Sequence, residues 1–467
     1  MEPQGQAAKE VTRELPPGDR CPVDLDRVLT AVRRAIGRTL QDLRTLSVPM
    51  RTVTVFRGDE SEVATHEVQS PHYRDTLVWE RIAEVWRSPE FMDLADYLWE
   101  RGAMKRTFHG PDPDKDAWAR WTFGDLVHTP LTIVLEWTAR EALVDRLPPV
   151  PWAVDDQRLE RMAQEVCAFH CAREGVATGY CPLGNISLSP GILYELSPDI
   201  ALKQLTPRER NLFLMRWQGE YLWDDFKSPL LAPVMAEVRV PFKVGSGVTA
   251  ESLLSSVGDR LDLLKWALFL SLPVESPPVE GTCLVVGLPE VRMGRFRRDE
   301  HLAGVGDLVS DQAIETVRDL IRRFREAGCK ASKLRDALWY FGRASVAVLP
   351  RDVLLESSIG LDTLLVPGGT DSRYRFALHG AVILSGVGGQ GRALFGALQE
   401  IYAARSGAAH GGRRGLEVLA TRARRYLADA IRGITNLVVA GTLDPRNDIS
   451  KAVQQYVIGR ATGAGAP

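Results

Sequence analysis

Residues 391–412 read GRALFGALQEIYAARSGAAHGG, and the reading of this stretch decides the fold of the last third of the chain. GRALFGALQEIYAAR reads as a helix that runs into alanine and glycine, with Arg405 five residues ahead of His410. Two readings compete. One is a small-residue turn between helices; the other is a place where a fixed cation and a titratable imidazole act on one phosphate. Spacing does not choose, because similar pairs occur at Arg295–His301 and Arg373–His379.

The surroundings are helical. Ser310 reads as the N-cap of a helix with the seam Ile314, Val317, Ile321 and Phe324. A second helix carries Leu334, Leu338, Phe341 and Val348 and stops at Pro350. VLLESSIGLDTLLVPGG reads as a third, ending at Pro367 and two glycines, and RYRFALHGAVILSG as a fourth. After the fifth comes a long helix with the seam Leu416, Leu419, Ala423, Tyr426, Ala430, Ile434 and Leu437. DISKAVQQYVIG adds a small one. Short loops between amphipathic helices predict an antiparallel bundle over 305–467.

The rest of the chain has a different character. Residues 1–22 read as a polar, flexible tail, and 23–300 as a mixed α and β region with a break at LPPVPW, near 150. A helix with Leu29, Val32, Ile36 and Leu40 on one face opens it, followed by a β-hairpin in RTVTVFRGDESEVATHEV. Residues 75–152 hold seven of the 11 tryptophans, at helical spacing that suits a core. Helices are expected to resume after 150 as far as LTPRERNLFLMRWQGEYLWDDF. VMAEVRVPFKVGSG then alternates like a strand, a helix spans about 250–271, and GTCLVVGL reads as a buried strand. The fold class expected is mainly α with a mixed α+β N-terminal part.

Composition narrows the function classes. A chain of 467 residues, 45% hydrophobic and 25% charged, is long enough for two or three domains. Its net charge of −2 gives no global pull toward nucleic acid or membrane. Arg 48 and Lys 10 make up the 58 basic residues, a bias that fits a GC-rich bacterial genome. The six cysteines form no paired framework, the start has no apolar signal region, and no apolar run is long enough for a membrane span. A cytoplasmic protein is expected.

LRDALWYFGRASVAVLPRDVLLESSIGLDTLLVPGG, YRFALHGAVILSG and GRALFGALQEIYAARSGAAHGG, in this order, resemble the Apea-like branch of the HEPN domains over about residues 305–460. The resemblance implies a C-terminal antiparallel HEPN helical bundle and a metal-independent endoribonuclease, with Arg405 and His410 catalytic. It implies supporting roles for Ser406, Tyr402 and Asp362, where the family more often has Glu, and it matches Arg392 to the family's arginine. RNA would be the partner, a homodimer through the bundle the active form, and a defence or toxin role the setting, with no cofactor or metal. The N-terminal 300 residues would sense a trigger or restrain the nuclease. A non-catalytic module that only dimerises or binds RNA or protein is the alternative; intact Arg405, Ser406 and His410 favour the enzyme.

The residue types suit that chemistry. A histidine titrates near neutral pH and can move the proton of a 2′-hydroxyl, while a permanent guanidinium offsets growing phosphate charge. Positions 405 and 410 lie about 140° apart on an ideal helix, so they converge only if the backbone breaks between them, which Gly407 permits. Arg413, Arg414 and Arg392 are candidates for holding RNA, the first two at the head of the arginine-rich run RRGLEVLATRARRYLADAIR. His379, among apolar neighbours on one helix, reads as a packed core histidine. GVGGQGR at 386–392 lacks a preceding strand and reads as an interhelix loop. CAFHC, with Cys167, His170, Cys171 and distant Cys181, matches no strong zinc spacing. GSGVTAESLLSSVGDRLD lacks the acidic arrangement of a nucleotidyltransferase.

Overall fold

The computed structural model describes residues 23–462 apart from 59–62, 74–84, 102–114, 172–173, 185, 190–191, 208, 210–233, 244–249, 273–278, 281–283, 287–291, 294–306, 328–331, 369–370, 387–390, 410–414 and 445–447. The expected tail at 1–22 therefore lies outside the described residues. The chain is mainly helical with a small antiparallel sheet. No helix among the described residues is long and apolar enough to cross a membrane.

Helix α1 (Leu25–Leu43) is started by Asp24, whose carboxylate accepts from the Arg27 amide at 3.1 Å, and it buries Val28, Leu29, Val32, Ala35 and Ile36. Strands β1 (Met50–Gly58) and β2 (Val63–Pro71) pair as the expected hairpin, from Met50↔Pro71 to Gly58↔Val63. Helices α2 (Pro89–Glu100), α3 (Lys115–Phe123), α4 (Thr129–Val144) and α5 (Asp156–Cys171) follow, with a π-helical turn at Gly124–His128 between α3 and α4. Of the seven tryptophans between 75 and 152, Trp86, Trp118 and Trp152 are core as expected, Trp99 and Trp137 are partly buried, Trp121 is exposed, and Trp79 lies outside the described residues. Trp118 and Trp152 are buried, and their indole N–H groups donate to the carbonyls of Ala95 at 2.7 Å and Leu46 at 3.1 Å.

After α5 the helices expected to continue give way to strands: β3 (Glu174–Gly184), β4 (Ile186–Ser187), β5 (Leu193–Ser197), β6 (Ile200–Gln204) and β7 (Val234–Lys243). The glycines and proline of EGVATGYCPLG hide β3 from propensity reasoning. Pairing with β7 along one edge and with β8 (Val279–Glu280) and β9 (Leu284–Val286) along the other fixes it as a strand. Only Leu284–Val286 of the expected GTCLVVGL strand is described as a strand. The sheet order is β10-β9-β3-β7-β6-β5, where β10 is Arg292–Met293. Alternate residues of β7, Val234, Ala236, Val238, Val240 and Phe242, turn to the core, where α6 (Ala250–Ser271) packs.

A short parallel pair joins β4 to β11 (Asp307–Leu308) and leads into α7 (Asp311–Glu326), capped by Ser310 as expected. Then come α8 (Ser332–Val346), α9 (Pro350–Leu365), α10 (Ser372–Ser385), α11 (Gly391–Ala409), α12 (Glu417–Val439) and α13 (Ile449–Thr462). Two expectations shift here. Helix α8 ends at Val346, which leaves Val348 outside it and 79% exposed; Pro350 opens α9, because its missing N–H costs nothing in a first turn. The buried seam of α12 runs through Ala420, Ala423, Leu427, Ile431, Ile434 and Val438, with Leu419, Tyr426 and Leu437 only partly buried.

Phe376 meets Tyr402 and Gly380 lies against Leu398, so α10 and α11 run antiparallel. Glycine permits the close approach. A Cβ at Gly380 would stand 2.7 Å from Leu398 Cδ1, and one at Gly360 of α9 2.7 Å from Leu427 Cδ2 of α12. Among the described residues one large apolar cluster unites α1–α5, and another unites the sheet, α6 and α7–α13. The second cluster has described members on both sides of the boundary expected between 300 and 305, and the two clusters divide between Cys171 and Ala177. Asp199 also ties sheet to helices, accepting from Arg260 of α6 at 2.7 Å and Arg325 of α7 at 2.6 Å.

Candidate functional site

Arg405, Tyr402, Ser406 and Asp362 gather at one end of the helical bundle. Leu361, Leu364 and Leu365 bury the last turn of α9, and Asp362 lies among them with its carboxylate toward α11. Arg405 Nη1 donates to Asp362 Oδ2 at 3.1 Å, and both side chains are 30% exposed. The other oxygen, Oδ1, is buried and has no hydrogen-bond partner among the described residues. The guanidinium carbon lies 5.9 Å from the centre of the Tyr402 ring, which packs edge-on against buried Phe376 at 5.3 Å. Asp362, Tyr402 and Phe376 thus position a cation that stays half-open to solvent. Ser406, next in sequence, is exposed.

The expected break at Gly407 does not occur. Helix α11 continues to Ala409, because Ala404 and Ala408 are both buried against the bundle and hold the final turn in register. Arg405 through Ala409 are therefore all helical. His410, Arg413 and Arg414 lie outside the described residues. Arg392 belongs to the first turn of α11, not to a loop, and is exposed. Thirteen residues of helix separate it from Arg405, roughly 20 Å at about 1.5 Å per residue, so the two do not share one phosphate.

The rival histidine has another task. His379 is 4% exposed, and its Nδ1–H donates at 2.6 Å to the carbonyl of Leu365, the last residue of α9. A terminal helix carbonyl has no intrahelical donor, and this bond supplies one. Burial holds the imidazole below its usual pKa, assisted by Arg375 and opposed by the Leu365 bond. Arg295 and His301 lie outside the described residues. The CAFHC cysteines are not gathered with Cys181: Cys167 and Cys171 pack with the N-terminal core, Cys181 with the other. Burial pushes the Cys167 thiol up to about 12 and the Cys171 thiol up to about 11.

One group near this end went unread in the sequence. Tyr374, in the first turn of α10, is 55% exposed with its ring against Phe395 at 5.7 Å. Its signal was an aromatic residue between two arginines, Arg373 and Arg375. Comparison with known proteins finds no matching family model, no matching curated protein and no matching solved structure.

Proposed function

We propose that the protein is a metal-independent endoribonuclease of the HEPN type, with Arg405 and His410 as its catalytic residues. The observation that carries this reading is Arg405 itself: a guanidinium held by Asp362 and Tyr402 at the open end of the bundle, five residues before a histidine. In the reaction a histidine takes the proton of a ribose 2′-hydroxyl, and that oxygen attacks the adjacent phosphorus. The bond from phosphorus to the 5′-oxygen breaks, and the leaving oxygen receives a proton from an acid. The products are a 2′,3′-cyclic phosphate and a 5′-hydroxyl. Arg405 offsets the charge that grows on the phosphoryl oxygens, and Asp362 releases it to them.

One chain supplies one histidine at this place, while the reaction uses both a base and an acid. The proposal therefore includes a two-fold dimer through the bundle, in which both copies of the motif face one cleft. The sheet shares a core with the bundle, which supports a restraining or triggering role for the preceding part of the chain.

The test is to incubate the purified protein with total RNA in EDTA and map the cut ends. Cyclic phosphate ends are expected, with no cut where the 2′-hydroxyl is replaced by hydrogen. Arg405→Ala and His410→Ala should each lower cleavage by roughly 10²-fold or more while leaving the fold intact. Cleavage that depends on an added divalent ion, or that survives both variants, overturns the reading.

A further inference from the structure

Helix α11 carries a stripe that ends at the candidate site. Arg392, Phe395, Gln399, Tyr402 and Ser406 are spaced by three and four residues, so they lie on one face, and each is exposed or half-buried. The stripe is about 20 Å long by the helical rise, with a cation at each end. Tyr374 of α10 lies against Phe395, and Phe376, two residues further on, lies against Tyr402. The first turn of α10 therefore runs beside this stripe. Arg373 and Arg392 are exposed and form no ion pair among the described residues, whereas Arg375 is engaged by the Gly368 carbonyl at 2.9 Å.

Resting on the RNA reading above, we propose that this face is a track for single-stranded RNA. Tyr374 is its base-stacking surface, and Arg373 and Arg392 hold phosphates upstream or downstream of the phosphate at Arg405. The chemistry of the face selects the occupant. Phe395 meets the Tyr374 ring in a T-shaped contact at 5.7 Å while Tyr374 stays 55% exposed, which suits a flat apolar unit. The exposed guanidinium groups of Arg373 and Arg392, which form no ion pair among the described residues, suit a polyanion. A strand with bases attached to phosphates carries both features in alternation, and only unpaired bases expose a face for stacking. Asp371, exposed just before α10, is the carboxylate that stands closest in sequence to this turn and limits its positive charge.

The experiment measures binding rather than cleavage. Short 2′-O-methyl oligoadenylate and oligouridylate strands, which lack the nucleophilic hydroxyl, are titrated against the full chain by fluorescence anisotropy. Tyr374→Ala should weaken binding about tenfold or more, the scale of one lost base–aromatic stack, and Tyr374→Phe should restore it. Arg373→Gln and Arg392→Gln should each lower the slope of log K against log salt by about 0.7, one phosphate contact on a single strand. A 2′-O-methyl duplex should be indifferent to Tyr374→Ala. Unchanged single-strand affinity in Tyr374→Ala, or no binding by the wild type, overturns the track. Normal cutting by Tyr374→Ala at unchanged KM removes the track and leaves the nuclease. Tyr374-dependent binding without any cutting removes the nuclease and leaves the track.

Discussion

Along one face of the π turn and α4, the N-terminal unit buries Asp125, His128, Thr132, Glu136 and Arg140. In the described part of α7–α13, by contrast, the buried polar groups are hydroxyls and His379. Ser345, Ser358 and Thr435 donate to carbonyls four residues back, at 2.8, 2.6 and 2.7 Å, and so ask nothing of other elements. The Arg405–Asp362 pair stays at an open end. A buried charge is costly unless it has a partner, and Asp125, Glu136 and Arg140 each have one, although Asp125 Oδ2 and Glu136 Oε2 form no hydrogen bond among the described residues. A pair that is 30% exposed is worth little, and on the function proposed above one partner would be exchanged for an incoming phosphate. The difference separates charge that serves the fold from charge that can serve a ligand.

The largest effects test whether the two cores are independent. Phe123 is fully buried in the N-terminal cluster against Phe91, and Phe376 in the other cluster against Tyr402. Truncation of either to alanine should cost about 3–5 kcal/mol, the usual range for a buried phenylalanine. Calorimetry should resolve two transitions, with Phe123→Ala lowering only one and Phe376→Ala only the other. A single transition that both variants lower equally would join the cores and weaken the contrast.

A smaller effect concerns His379. Its folded pKa is depressed below the unfolded value near 6.5 by burial, so between these values the unfolded chain binds more protons. Its contribution to stability is therefore complete above the unfolded value and is lost as pH falls toward the folded one. His379→Leu removes this dependence and leaves the Leu365 carbonyl without its donor, at a cost of about 1–3 kcal/mol. Urea midpoints for both proteins across this window give the difference curve. Parallel curves would mean that His379 is not the group that titrates, and loss of RNA cleavage in the folded variant would make it the wrong histidine to set aside.

Much of the bundle was legible because helical periodicity, Ser310 and the prolines are local signals. Strand β3 was not, since its three glycines and one proline carry no strand preference and its pairing partner begins fifty residues later. The end of α8 is hidden for a similar reason: Val348 looks like the next seam residue, but the helix has already ended at Val346. At the site, sequence order brings Tyr402, Arg405 and Ser406 together, and only the resemblance to a known helical pattern points to Asp362. The continuation of α11 past Gly407 depends on the burial of Ala404 and Ala408 by other helices, which spacing does not reveal. Tyr374 also gave only a weak signal, because exposure is decided by what packs nearby.

The smallest expected effect tests the exchangeable pair directly. Asp362→Asn keeps the shape and removes the charge that holds Arg405. Because both side chains are 30% exposed, stability should change by no more than about 1 kcal/mol. Glu136→Gln makes the same exchange at a buried position of the N-terminal unit, where the side chain cannot reach water, and it should cost more. RNA affinity should rise slightly in Asp362→Asn, since the phosphate no longer displaces a carboxylate, while cleavage should fall because the guanidinium loses its fixed position. Urea denaturation of both variants, with RNA titration and single-turnover cleavage of Asp362→Asn, reads all these quantities. If Asp362→Asn unfolds the bundle while Glu136→Gln is tolerated, the roles of the two regions are reversed, and the Arg405–Asp362 pair is a strut of the fold rather than a cation held ready for phosphate.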